Sequence, residues 1–233
     1  MTQHRCTVLL TGFGPFPGVP HNVSATLVEA VGDIVRRRFP SVRIETAALA
    51  TEWQTAPAET AMLIAKLKPR IALHFGVSDI ATGFVVETLA RNEAGRVDAA
   101  GLIPEIPVID PFGPQAMSTN LPAARIAARL RRLGLPARLS RDAGTYLCNA
   151  VFYRSMLTQT ELNAGGRSGF IHLPVHLSET SPSPGSPRPR PVANRRRTID
   201  PRLSFEAARD GGLEIIAACL ATGHASPHAS RAT

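Results

Sequence analysis

Three residues of the sequence have side chains suited to covalent hydrolysis: Cys148, His172 and Glu87. Cys148 lies in the stretch AGTYLCN at 143–149, after a predicted turn and near the start of a predicted helix. The positive end of a helix macrodipole favours the thiolate form of a cysteine, which is its nucleophilic form. A buried structural cysteine is the more common outcome for this residue type, so position alone leaves both interpretations open.

A histidine and a carboxylate elsewhere in the chain could complete a catalytic set with the cysteine. His172 lies near the end of the apolar run 169–173, and the carboxyl end of a parallel strand is where α/β folds place ligands. It is either a base or a hydrogen-bonded core histidine, and His176 is a rival base. Glu87 stands in an apolar run, where an unpaired charge is costly. Its partner is either an imidazolium, as in sets where a carboxylate orients a histidine, or an arginine.

Two phenylalanines and an arginine are candidates for substrate binding. Phe13 and Phe16 flank a Gly-Pro pair in a predicted loop, where they either wall a flat apolar pocket or pack over the sheet edge. Arg96 lies in a later loop and could stabilise negative charge on a substrate oxygen. The sequence GFG at 12–14 lacks the third glycine of a dinucleotide motif, and the seven histidines show no spacing typical of metal ligands. We therefore expect neither a metal nor a cofactor.

The composition is that of a folded protein with a local excess of positive charge. Of the 233 residues, 44% are apolar and 19% are charged, which excludes wholesale disorder. The formal net charge is +8, but five arginines fall in the Pro-rich segment 178–200 without interleaved aromatic residues, so binding to nucleic acid is disfavoured. Three cysteines suit a reducing compartment. No apolar stretch is long enough for a signal peptide or a membrane span. We expect a cytoplasmic protein without a membrane partner.

Hydrophobic periodicity predicts strands that alternate with helices. The predicted strands cover 6–11, 43–49, 71–75, 84–89, 137–140 and 169–173. The first predicted helix begins after Ser24, its expected N-cap. The other predicted helices cover 58–67, 122–133, 147–157 and 205–221. Residues 92–120 are expected to be irregular.

The alternation predicts the fold class and the domain organisation. Strands separated by helices indicate an α/β protein, a single three-layer α/β/α domain over residues 1–222 with a twisted, largely parallel central sheet. Within it, residues 178–200 are expected to form a mobile, Pro/Arg-rich basic loop. Residues 223–233 are expected to be a flexible C-terminal tail.

Four sequence blocks resemble those of pyroglutamyl peptidase I, the pyrrolidone-carboxylate peptidase family. TGFGPFPG at 11–18, followed by NVS at 22–24, is similar to the family pattern TGFxPFxG…NPS. VETLARN at 86–92 resembles xERVAxN, AGTYLCN at 143–149 is close to AGTxxCN, and GFIHLP at 169–174 is like GFIHxP. The blocks occur in the family's order, which makes the resemblance far more specific than any single block.

The resemblance implies a cysteine exopeptidase that hydrolyses the amide bond after an N-terminal pyroglutamyl residue through a thioester. It implies Glu87, Cys148 and His172 as the catalytic set, and it sets His176 aside. The substrate contacts that it implies fall on Phe13, Phe16, Asn22, Val77 and, if one residue is deleted here, Arg96. It further implies that metal and cofactors are absent, that the partners are small peptides with a blocked N-terminus, and that the chain is a cytoplasmic homo-oligomer, either a dimer or a tetramer.

The chain also departs from the family pattern near the expected pocket. Thr88 replaces the arginine that usually follows the glutamate, Val23 replaces the proline of NPS, and the loop at 93–101 is shorter. The segment after His172 is longer and basic. Two alternatives therefore stand beside the peptidase: a catalytically lapsed homologue that binds pyroglutamate or a peptide, and a hydrolase of a different N-blocked amide.

Overall fold

A computed structural model of the protein describes residues 6–163, 165–177 and 203–221. Its strands are β1 (Thr7–Phe13), β2 (Arg43–Leu49), β3 (Ile71–Ser78), β4 (Phe84–Glu87), β5 (Leu89–Arg91), β6 (Ala116–Ser118), β7 (Ala137–Ser140) and β8 (Arg167–Pro174). Its helices are α1 (Val23–Arg38), α2 (Ala56–Leu67), α3 (Ala123–Arg132), α4 (Leu147–Glu161) and α5 (Phe205–Ala221). The predicted basic loop at 178–200 and the predicted tail at 223–233 lie outside the described residues.

The predicted α/β architecture with a largely parallel sheet is confirmed. The central sheet has the order β2-β1-β3-β8-β4-β7, and its one antiparallel pair joins β4 to β8. Helices α1, α3 and α5 pack together on one side, whereas α2 and α4 pack together on the other. Buried apolar side chains hold the layers together. Between the sheet and the layer of α1, α3 and α5 they include Leu10, Val31 and Ile216. None of the helices in the described residues is long and apolar enough to cross a membrane.

Two local predictions were wrong, because local patterns do not reveal distant partners. Asn22, not Ser24, caps α1: the Asn22 side chain accepts the Ser24 backbone N–H at 3.2 Å, while the Ser24 hydroxyl accepts the Phe13 N–H. The strand predicted at 84–89 breaks at Thr88, whose N–H donates to the Ser140 carbonyl. The chain then leaves the central sheet as β5 and pairs with β6, inside the region expected to be irregular.

A chain of buried polar groups crosses the core beneath the carboxyl end of the sheet. The His74 ring contacts the hydroxyls of Thr11 and Ser155, each at 2.7 Å, and the Ser155 hydroxyl donates to Ser168. Burial lowers the pKa of His74 to about 3, since an imidazolium would lose its hydration there. His74 therefore stays neutral at physiological pH, and its role is structural.

Candidate active site

The fold brings together the three residues that the sequence suggested for catalysis. Glu87 is the last residue of β4 and His172 lies on the adjacent antiparallel strand β8. Oε1 of Glu87 lies 2.9 Å from Nδ1 of His172, and both side chains are buried. Cys148, the second residue of α4, lies near enough to His172 to raise the pKa of the imidazole. Since Nδ1 faces the carboxylate, Nε2 is the ring nitrogen left for the sulfur.

The electrostatics of this cluster favour a charged histidine. Burial alone lowers the pKa of His172, but the charge and hydrogen bond of Cys148, together with those of Glu87, outweigh it and raise the pKa to about 9. Opposite charges in close contact stabilise each other's ionised forms. The cluster therefore favours the imidazolium form of His172 at neutral pH.

Cys148 is held at the start of α4 by a turn and a buried amide. Gly144 adopts φ +78°, a left-handed conformation that glycine takes without strain, and the turn leads directly into the helix. No side chain caps α4 at Tyr146, so the N–H groups of the first turn are not used by a capping side chain. Asn149 is fully buried, and its amide bonds the backbone of Arg91 and Glu93. This anchor fixes the start of α4, which carries Cys148, to the end of β5 and the loop that follows it.

A narrow cavity of about 40 Å³ opens beside the sulfur of Cys148. The side chains around it are mostly apolar, and they come from four separate parts of the chain. They are Phe13, Phe16, Asn22, Thr51, Val77, Tyr146, Leu147 and Cys148. Four of the five residues expected to contact substrate, all except Arg96, thus line one cavity with the thiol.

An aromatic wall of Phe16, Tyr146 and Trp53 borders the cavity, and its first two members line it. Phe16 lies 6.5 Å from Tyr146 between ring centroids, and Trp53 meets Tyr146 edge-on at 5.8 Å. Phe13 is 2% exposed and packs on Phe170 at 6.3 Å. Sequence reasoning missed Tyr146 and Trp53. Tyr146 could have been found because it lies two residues before Cys148 in the same block, whereas Trp53 is brought in by folding alone.

The loop between Phe13, the last residue of β1, and Phe16 is supported by hydrogen bonds to its backbone. The Asn22 amide donates to the Gly14 carbonyl, and the Thr51 hydroxyl donates to the same oxygen, both at 3.1 Å. Asn22 therefore acts on two structures at once, as the cap of α1 and as a support of this loop. Its side chain is 7% exposed, so the contact is shielded from water.

Arg96 occupies a different place from the one expected for an oxyanion-stabilising group. Its side chain is exposed, it is not among the residues that line the cavity, and its carbonyl accepts the Trp53 indole N–H at 3.0 Å. Burial raises the pKa of the Tyr146 hydroxyl, nearby Asp98 and Cys148 raise it further, and the Arg96 charge opposes them. Arg96 thus lies over the aromatic wall, and its predicted role at a substrate oxygen remains a prediction.

A larger cavity lies on the other side of Trp53 but holds none of the three catalytic candidates. It measures about 550 Å³ and lies between α2, α4 and the loop after β5, with Arg154 on its wall. Arg154 is already paired with Asp110 at 3.0 Å. The described residues contain no group of three His, Cys, Asp or Glu side chains arranged to hold a metal ion. The small cavity is therefore the candidate active site, because Cys148 lines it and does not line the larger one.

Comparisons with known proteins agree with this geometry. A family model described as pyroglutamyl peptidase matches residues 6–189. The pyrrolidone-carboxylate peptidase of Cupriavidus pinatubonensis is 35% identical over 226 residues, which cover 93% of this chain and 94% of that protein. Pyroglutamyl peptidase I of Bacillus amyloliquefaciens superposes with a TM-score of 0.74 at 28% identity, covering 91% of this chain and 95% of that one. A mutant pyrrolidone carboxyl peptidase of Pyrococcus furiosus gives 0.77 at 26% identity, covering 92% and 98%.

Proposed function

The chain belongs to the pyroglutamyl peptidase family of cysteine peptidases, and from that membership we propose how its own residues hydrolyse the amide bond after an N-terminal pyroglutamyl residue. The observation that carries the proposal is the contact of Cys148, His172 and Glu87 beside a narrow apolar cavity. Cys148 is the nucleophile, His172 is the general acid and base, and Glu87 orients the imidazole.

The first step is attack by the Cys148 sulfur in its thiolate form. The His172 imidazolium stabilises the Cys148 thiolate, and the first turn of α4 adds the positive end of its dipole. The sulfur attacks the carbonyl carbon of the pyroglutamyl residue, and the carbonyl oxygen becomes an oxyanion. Backbone N–H groups of the α4 first turn are suited to donate hydrogen bonds to this oxyanion, since no side chain caps them.

Collapse of the tetrahedral intermediate breaks the C–N bond and leaves a thioester on Cys148. His172 gives its proton to the departing amine, which leaves as the shortened peptide. His172, now neutral, removes a proton from water, and the resulting hydroxide attacks the thioester carbonyl. The C–S bond breaks, pyroglutamate departs, and the proton on His172 restores the ion pair. Glu87 keeps Nε2 facing the sulfur throughout, because it holds Nδ1 at 2.9 Å.

The cavity suits a flat, neutral end group. A pyroglutamyl lactam has no charged amine, so an aromatic and aliphatic lining recognises it without leaving a charge unpaired. Phe13 and Phe16 contact the ring faces, and the Val77 backbone contacts the lactam. A free N-terminal amine would be driven into this apolar lining at the cost of its hydration. The pocket thus selects peptides with a blocked N-terminus.

Release of a chromogenic amine from a pyroglutamyl amide tests the function. We expect wild-type protein to cleave the pyroglutamyl amide and to leave the prolyl amide essentially intact, with a preference of at least about 10²-fold, since the prolyl ring carries a charged amine. The prolyl amide is a matched control because its ring has the same size. Binding of pyroglutamate without release of the amine would instead indicate a lapsed homologue, and cleavage of another blocked amide alone would indicate a different substrate.

The pH dependence of kcat/KM is expected to show an alkaline limb set by His172. Its pKa of about 9 means that the imidazolium persists through neutral pH and is lost as the pH rises through that value. Both the ion pair and the acid for the leaving amine are then lost, so the rate falls. In Glu87→Gln the carboxylate charge is gone, and the limb should move to lower pH. Glu93→Gln changes an exposed carboxylate and should leave it in place; an unmoved limb in Glu87→Gln would contradict the role of Glu87.

We also infer a cytoplasmic homo-oligomer, either a dimer or a tetramer. Support comes from exposed apolar side chains in the loop after β5, where Val97, Ile103, Ile106 and Phe112 are between 47% and 99% exposed. Contiguous exposed apolar surface favours association. Cys6, Cys148 and Cys219 are not joined in disulfides, which suits a reducing compartment. Light scattering coupled to gel filtration measures the mass directly, and a monomer at micromolar concentration would contradict the assembly.

A further inference from the structure

Gly76 lies in β3 directly opposite His172. The two residues are register partners in the parallel pair of β3 and β8. Neighbouring positions of β3 carry large side chains, including the fully buried Phe75. A glycine inside a strand weakens it, because glycine packs no side chain and loses more backbone freedom on folding. Its presence at this position therefore calls for a local explanation.

The backbone conformation does not supply one. Gly76 is not among the glycines with positive φ, and it lies within the regular ladder that joins β3 to β8. Extended backbone of this kind is open to every residue type. The requirement is instead one of space on the side where a Cβ atom would stand.

That space is filled by the nucleophile and by an aromatic ring. A Cβ atom on Gly76 would lie 2.9 Å from the Cys148 Sγ and 2.7 Å from Cζ of Phe170. Real Cβ atoms essentially never approach other heavy atoms within 3.0 Å. A methyl group at this position would therefore displace the sulfur, the ring or both, by about half an ångström or more before ordinary contact is restored.

Both partners of the ion pair depend on this contact. The sulfur of Cys148 rests against the Gly76 backbone, and the Phe170 ring lies 4.8 Å from the His172 ring between centroids. A shift of the sulfur changes its distance to the imidazole directly. A shift of the Phe170 ring changes the packing that supports the imidazole.

We propose that Gly76 is a positioning residue whose lack of a side chain sets the distance between the Cys148 sulfur and the His172 imidazole. This inference rests on the proposed function, since it assigns Gly76 to the same thiolate–imidazolium pair. Gly76 itself contacts no reacting bond. Its contribution is to let the start of α4 approach β3 closely enough for the sulfur to reach Nε2.

The test is Gly76→Ala, measured beside Gly32→Ala. Gly32 lies in α1, and a Cβ atom there would meet Cγ2 of Thr46 at 2.8 Å, a clash of similar size remote from the thiol. We expect Gly76→Ala to lower kcat on the pyroglutamyl amide by about 10²-fold with a smaller change in KM, because ångström-scale misplacement of a reacting group is that costly. Folded Gly32→Ala should keep the wild-type kcat.

A second readout does not require turnover. The rate of alkylation of Cys148 by iodoacetamide, followed by peptide mass, reports the thiolate between pH 5 and 8, and Cys6 in the same sample is an internal reference. We expect Cys148 in wild-type protein to react well at pH 6, and in Gly76→Ala to lose at least about tenfold of that rate while Cys6 is unchanged. Wild-type kcat and an unchanged alkylation profile in folded Gly76→Ala would overturn the proposal.

A double variant covers the case in which Gly76→Ala does not fold. Phe170→Leu removes the ring that a Cβ atom on residue 76 would meet at 2.7 Å, and it leaves the overlap of that Cβ atom with the Cys148 Sγ. Relative to Phe170→Leu alone, Gly76→Ala/Phe170→Leu should still show slowed alkylation of Cys148; equal rates would overturn the proposal. Failure of the proposed function would show differently, as wild-type protein that alkylates rapidly at pH 6 but releases no amine from the pyroglutamyl amide.

Discussion

Cys148→Ser is expected to lower kcat/KM on a pyroglutamyl amide by roughly 10⁴-fold or more. The serine hydroxyl is of similar size, so the fold and the cavity should persist. A hydroxyl is not ionised near neutral pH, however, and the pair with His172 is lost with the thiolate. Initial rates at substrate concentrations below KM, with circular dichroism to verify folding, measure the effect.

The matched control for this substitution is Cys6→Ser. Cys6 is a partly exposed free thiol, and burial raises its pKa, so it should not supply a thiolate at neutral pH. We expect Cys6→Ser to keep wild-type activity. Retention of activity in Cys148→Ser, or its loss in Cys6→Ser, would show that another residue attacks the substrate.

His172→Gln is expected to lower kcat by roughly 10³- to 10⁴-fold, with KM changed much less. Glutamine can still hydrogen-bond Glu87, but it can neither carry the imidazolium charge nor transfer a proton. The Cys148 thiolate then loses the neighbouring imidazolium of His172, whose pKa is raised to about 9 by Cys148 and Glu87. Alkylation of Cys148 at pH 6 should slow in parallel, because the remaining thiol is mostly protonated.

His176→Gln separates this role from a general sensitivity of the region. His176 is exposed and lies four residues further along the chain, and before folding is considered it is a plausible rival base. We expect wild-type rates for His176→Gln. Comparable losses of activity in both variants, or a loss in His176→Gln alone, would contradict the assignment of His172 as the base.

The sheet and the helical layers were accessible from sequence because their signals are local. Buried strands such as β3 and β8 are short apolar runs, and α1 repeats its apolar residues at helical spacing. The pairing of β5 with β6 was not accessible, since the partner lies across a long loop. Nor was the cap of α1, where Asn22 and Ser24 are equally suitable types and tertiary contacts assign each its role.

The candidate site could likewise be predicted from the sequence only in part. Cys148 alone is more easily explained as a buried thiol, and only its block together with those of Glu87 and His172 indicates catalysis. The structure adds what spacing cannot encode: the approach of Trp53 to Tyr146, and the contact of Gly76 with the sulfur. Arg96 is exposed and is not among the residues that line the cavity, so its role at a substrate oxygen stays a prediction of the resemblance.

The most direct test of the central claim is to map the residue that is alkylated by a chloromethyl ketone of pyroglutamic acid. This reagent offers the lactam ring to the cavity and an electrophilic carbon to the nucleophile. We expect loss of activity with one equivalent bound per chain on Cys148, no modification of Cys6 or Cys219, and protection by free pyroglutamate. Inactivation with Cys148 unmodified, or wild-type activity that persists when Cys148 is fully alkylated, would contradict it.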